Sequence, residues 1–262
     1  MLKFLLITKR KRFVVTSLLL SIGFILINLT SHENKIFYVF LLTFFTLLMF
    51  IWNLWEGLFL NATLLSLVLP PLFTLGVGLF WFLIPTTIYA RLPVIALYGF
   101  GIYALCLTAN IFTVSAIRTI ALVRAARGVG FVLTLLVAFL LFDAIFSMKL
   151  NIMLHTSLIF TVSLPLLLQS LWTCKLDTNI IKDECLIYSF VFALITSQIA
   201  TILYTWPVTV VVGSLFLTVT MYSVLGLGQA KLEERLFKNV LWEYLSVSII
   251  VFIAILASTR WG

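Results

Sequence analysis

Nine stretches of this chain are long enough, and empty enough of charge, to cross a lipid bilayer. They run roughly over residues 13–29, 36–53, 57–84, 92–116, 129–148, 150–172, 185–204, 208–227 and 240–258. A spanning helix needs about 20 mostly apolar residues, because the hydrocarbon core is about 30 Å thick and a helix rises about 1.5 Å per residue. Within hydrocarbon every backbone N–H and C=O must find its partner inside the segment, so helices are the expected element. A membrane β-barrel would alternate apolar and polar positions, and these runs do not alternate. The expected fold is an all-α integral membrane bundle of about nine transmembrane helices.

Composition closes off the water-soluble alternatives. Hydrophobic residues make up 63% of the chain and charged residues 10%, whereas soluble domains carry about 25% charged residues. A soluble fold of this size would leave large apolar patches in water. No shift in composition marks a second unit, so residues 1–262 read as a single transmembrane domain. The net charge of +8 invites a nucleic-acid reading. That partner is excluded, because the basic residues sit in short loops between apolar runs, where topology signals belong. Lys9-Arg10-Lys11-Arg12 before an apolar run has the layout of a signal peptide. The run is long for such a peptide and no small-x-small cleavage site follows, so an uncleaved first helix is expected, with the amino terminus cytoplasmic.

Orientation follows from counting. With nine spans, the far side holds only Lys35, Arg91, Lys149 and Arg260 of the 17 basic residues, the asymmetry that the positive-inside rule demands. Splitting the third stretch at Pro70-Pro71 would abolish it, so one long, kinked third helix is expected. Tryptophans fall near the predicted span ends, where an apolar ring with one N–H is best solvated. The segment Gln229–Asn239 reads as a short interfacial helix, with Leu232, Leu236 and Phe237 toward lipid.

Few positions carry chemistry. Pro70 and Pro71 sit at the centre of the third stretch, where two missing N–H groups free two carbonyls. Ser66 and Thr74 supply hydroxyls beside them, and a helix break at mid-membrane is where many transporters hold their cargo. Asp143 is the one carboxylate well inside a span, and intramembrane charges are functional candidates by default. His155 lies equally far beyond the same turn, so the two are expected to face one another as a relay or an acid–base pair. Arg118, Arg124 and Arg127 in the loop after the fourth helix suit an anion or a lipid headgroup. No phosphate loop, zinc-protease motif or metal-ligand cluster is present, and no cofactor is expected.

Three classes of function fit. The first is a non-catalytic membrane component acting through helix and lipid contacts. The second is a transporter or flippase for an uncharged, lipidic or small amphipathic substrate. The third is an intramembrane enzyme on lipid-linked substrates, using Asp143 and His155. The expected partners are the lipid bilayer, with anionic lipid at the cytoplasmic face, and a membrane protein or a second copy of the chain. Compact helices with minimal loops resemble the prokaryotic inner-membrane style, so a bacterial plasma membrane is the expected location.

Overall fold

The computed structural model describes residues 8–29, 34–55, 61–85, 87–115, 122–176 and 183–259. Among them every regular element is helical. The α-helices are α1 (Lys9–Leu29), α2 (Lys35–Leu54), α3 (Leu69–Phe80), α4 (Ile88–Ser115), α5 (Val123–Ser147), α6 (Ile152–Trp172), α7 (Asp183–Thr205), α8 (Val210–Leu232) and α9 (Lys238–Ser258). Two short 3-10 segments, Asn61–Leu67 and Trp81–Leu83, flank α3. Eight helical segments among the described residues are long and apolar enough to cross a membrane: α2, the stretch Thr63–Leu83, and each helix from α4 to α9. Helix α1, which begins with the cationic run Lys9-Arg10-Lys11-Arg12, stands outside that set. Large apolar side chains such as Phe37, Phe100, Met153 and Ile250 are exposed, which only a hydrocarbon solvent makes stable. The chain is a multi-pass integral membrane protein with about eight spans.

The third stretch is one helical span, Thr63–Leu83, as its sequence suggests, but it is built from a 3-10 segment and an α-helix rather than from one α-helix kinked in its interior. A 3-10 segment runs to Leu67, a turn follows at Val68, and α3 starts at Leu69 with the two prolines in its first positions. The first N–H groups of a helix have no intrahelical acceptor, so proline there forfeits nothing. The prolines that do lie inside helices are Pro93 in α4 and Pro165 in α6.

The chain divides into two compact units, Met1–Leu133 and Thr134–Gly262. In the first, α1 packs on α4 and α2, and α2 packs on α3. Close approach of α1 and α4 depends on small residues. Ser17 Oγ donates to Gly99 O at 2.6 Å, and a Cβ on Gly99 would stand 2.6 Å from Ser21 Oγ. Ser17 and Ser21 are four residues apart on one face of α1, the small-residue spacing that lets membrane helices touch backbone to backbone. The buried side chains include Phe24, Phe73, Trp81, Tyr98 and Ile102.

In the second unit, α6 runs against α7, and α8 packs on α6, α7 and α9. Hydroxyl and amide bridges join the helices. Thr156 and Thr201 pair at 2.8 Å, Ser223 and Ser248 at 2.7 Å, and Gln229 Nε2 donates to Ser170 Oγ at 3.1 Å. Where the sequence suggested an interfacial helix from Gln229, α8 instead continues to Leu232. There the chain stops on a left-handed residue, Glu234, at φ 59°. Arg235 N–H bonds to Ala230 O at 2.8 Å and Glu234 N–H to Lys231 O at 3.1 Å, the paired closure that satisfies the last carbonyls of a helix. Lys231 in the final turn adds a favourable charge at the negative end of the helix dipole.

Candidate functional site

The polar groups of the first unit converge beside the start of α3. Thr74 sits one turn after Pro70, so its hydroxyl reaches back to Pro70 O at 3.2 Å. The same hydroxyl lies 3.0 Å from Thr46 Oγ1 on α2 and 3.2 Å from the Tyr98 hydroxyl on α4. Thr46 itself donates to Leu42 O at 2.8 Å. Three helices are thus joined through one cluster of hydroxyls, and all three side chains are buried. Ser66 is also buried and donates to Thr63 O at 2.6 Å. Pro70 is buried and Pro71 half-buried. Aromatic rings shield the cluster: Phe73 stacks on Tyr98 at 5.7 Å, Phe24 meets Tyr98 at 4.9 Å and Trp81 at 5.0 Å. Arg91 caps this wall, its guanidinium 5.0 Å above the Trp81 ring.

A second polar contact in this unit was not anticipated. Asn53 Nδ2 donates to Thr16 Oγ1 at 2.8 Å and points to Cys106 Sγ at 3.8 Å, tying α2 to α1 and α4. The available signal was spacing, since Thr46 and Asn53 lie seven residues apart and so on one face of α2.

In the second unit the expected pairing of Asp143 with His155 does not form. Asp143 is buried and accepts a hydrogen bond from Ser214 Oγ of α8 at 3.1 Å. Phe146, one turn further along α5, stands against His155 at 4.5 Å in an edge-on arrangement. Tyr204 of α7 flanks the imidazole on another side at 5.3 Å. His155 is buried, and neither ring nitrogen has a hydrogen-bond partner. The short α5–α6 turn brings the two helices near in sequence, but α6 runs along α7 rather than along α5. The carboxylate is left to α8 and the imidazole to an aromatic setting.

The arginines are partly relocated. Helix α5 starts at Val123, so Arg124 and Arg127 occupy its first turn and a half rather than a loop. Arg124 is exposed and Arg127 half-buried; Arg118 lies outside the described residues. Two guanidiniums at the positive end of a helix dipole combine to attract anions.

Apolar grooves open on the surface, two of them lined by described residues. One, of about 590 Å³, lies between α1 and α2 and is lined by Gly23, Leu26, Ile27, Tyr38, Leu41, Leu42, Phe44, Phe45 and Leu48. The other, of about 390 Å³, lies between α6 and α7 along Leu164, Leu168 and Phe190. Neither is lined by Pro70, Asp143 or His155. No group of three or more metal-ligating side chains occurs among the described residues.

A family model described as a protein of unknown function (DUF5656) matches residues 56–258, from just after α2 to the end of α9. Comparison with curated proteins and with solved structures returned no match.

Proposed function

The chain belongs to the DUF5656 family of membrane proteins of unknown function, and we propose that it is a non-catalytic membrane component that acts through helix and lipid contacts. The observation that carries this reading is the state of the hydroxyls beside the Pro70-Pro71 break. Thr46, Thr74 and Tyr98 are buried and bonded to one another, and rings of Phe24 and Phe73 close over them. A carrier would hold such groups open to a polar cavity. Surfaces for contact are ample. Only 6% of the α9 span is buried, against 61% of the α5 span, so outside the face that meets α8 the helix offers exposed apolar side chains to lipid, a partner protein or a second copy. Arg124 and Arg127 suit an anionic headgroup at the cytoplasmic end of α5. The prokaryotic style of the helices supports a bacterial plasma membrane as its location.

The test is water accessibility. Single cysteines at Thr63, Ser66 and Thr74 in a Cys-free background are probed in membranes with a polar thiol reagent, and protection at all three is expected. Labelling at any of them would replace this reading with transport.

One observation favours that second reading, a transporter or flippase. His155 is buried with both nitrogens unbonded, and Pro165 interrupts the backbone ladder of the same helix. On that account His155→Phe abolishes movement of a substrate while leaving the fold intact. On the first account it is neutral or stabilising, because it removes unsatisfied polar atoms from an aromatic site.

A further inference from the structure

The groove between α1 and α2 has a polar end as well as an apolar floor. Its floor is built from Gly23, Ile27 and Leu42, and its exposed walls from Leu26, Leu41 and Phe44. It runs along α2 from Tyr38 to Leu48, which is about 15 Å at the helix rise. That is half of the about 30 Å hydrocarbon core, the depth of one leaflet. A partner helix would need a seam through the whole membrane, whereas one lipid tail needs this length.

One turn beyond Tyr38 stands Lys35, the first residue of α2. It is 93% buried by its 7% exposure, yet forms no ion pair among the described residues. Its stem is packed away while its ammonium keeps access to the surface, and a cation held in this way at a membrane interface attracts an anionic headgroup. Side chains on a helix lean toward its amino terminus, which carries the Lys35 stem to the outer side of Tyr38. There Asn34 makes no side-chain cap, and the first turn of α2 holds no acidic residue to offset the positive end of its dipole. Free N–H groups at the positive end of a helix dipole bind phosphate readily. Three features therefore stand together: an apolar channel of leaflet depth, a lysine one turn beyond its Tyr38 end, and a helix start without a side-chain cap.

We propose that the α1–α2 groove is a binding site for one anionic phospholipid, its acyl chain along Gly23, Ile27 and Leu42 and its phosphate against Lys35 and the first amides of α2. Such a site does not depend on whether the Pro70 region is dry, so it and the function proposed above fail separately.

The full-length protein is reconstituted in nanodiscs holding equal amounts of phosphatidylglycerol and phosphatidylcholine with identical tails. It is then released into mild detergent, and the retained lipid is identified by native mass spectrometry. One retained lipid per chain is expected, with phosphatidylglycerol favoured about fivefold, the effect of one basic side chain on an anionic headgroup. Lys35→Gln brings the retained lipid to the nanodisc ratio, and Lys35→Arg keeps the preference. Leu41→Trp fills the wall from an exposed position and abolishes retention of either lipid, with helicity unchanged by circular dichroism. An undiminished phosphatidylglycerol preference in Lys35→Gln overturns the proposal, as does a lipid-free dimer, which would mean that a second copy covers the groove.

Discussion

Replacing Gly226 by alanine has opposite effects in two backgrounds if α8 and α9 pack as described. A Cβ at Gly226 would fall 2.2 Å from Tyr244 Cε1 and 2.3 Å from Cζ. Carbon atoms prefer about 3.5–4.0 Å, so the ring must retreat by more than about 1 Å. Tyr244 also contacts the Tyr222 ring at 5.1 Å, so its movement disturbs that pair as well, worth about 0.5–1.5 kcal/mol. Overpacking of this kind costs about 1–3 kcal/mol. Against it, alanine is favoured over glycine inside a helix by about 1 kcal/mol. Gly226→Ala therefore destabilises the native protein by about 1 kcal/mol, and stabilises the Tyr244→Ala variant by about 1 kcal/mol. The coupling between the two sites is then about 2 kcal/mol, well above the few tenths expected of independent positions. Reversible unfolding of the four proteins in mixed micelles, followed by far-ultraviolet circular dichroism, gives the cycle directly. A structural readout accompanies it: Ser223 and Ser248 lie 2.7 Å apart on the same two helices, so the pair Ser223→Cys with Ser248→Cys oxidises to a cross-link, more slowly once Gly226→Ala pushes α9 away. Equal stabilisation by Gly226→Ala in both backgrounds, with unchanged cross-linking, would refute the packing of Tyr244 on Gly226.

Ser214→Ala removes the donor to Asp143 and lowers stability by about 0.6–1.7 kcal/mol, the range of hydrogen bonds between membrane helices. Asp143→Asn keeps an acceptor oxygen and costs less than Asp143→Ala, so equal losses by thermal unfolding would argue against this bond. Glu234→Gly relieves the left-handed backbone at the end of α8 and stabilises by about 1 kcal/mol in the same assay; destabilisation would mean that the Glu234 side chain makes a contact of greater worth. For orientation, an impermeant thiol reagent added outside cells modifies a cysteine at Arg91 and leaves one at Arg124 untouched. The reverse pattern would invert the positive-inside assignment.

Helix type and approximate bounds were legible in the chain because they depend on one local quantity, the length of an apolar run measured against bilayer thickness. Predicted residues 36–53, 150–172 and 240–258 correspond to α2, α6 and α9 within about two residues, the usual uncertainty of helix ends. The same local logic found the third span but misjudged the place of its prolines. Proline was expected to break a helix in its interior, but Pro70 and Pro71 begin one after a 3-10 segment, and which end of a helix a proline occupies depends on where the preceding turn closes. It failed again at Gln229–Asn239, where Glu234 takes a left-handed conformation that its residue type does not announce.

Polar partnerships lay beyond the sequence altogether. Asp143, Thr74 and His155 were identifiable as polar residues in hydrocarbon, because that property belongs to each residue alone. Their partners come from helices that are remote in the chain: Ser214 for Asp143, and Thr46 and Tyr98 for Thr74. Nearness along the chain suggested His155 for Asp143, and the packing of α6 on α7 withheld it. By itself, the sequence determined that this protein lives in a bilayer as a bundle of helices, since transfer free energy sums over consecutive residues. Only the tertiary structure decided which faces of those helices meet, because that depends on small residues such as Gly99 and Gly226 and on rings such as Tyr244, whose complementarity exists only between segments already brought together.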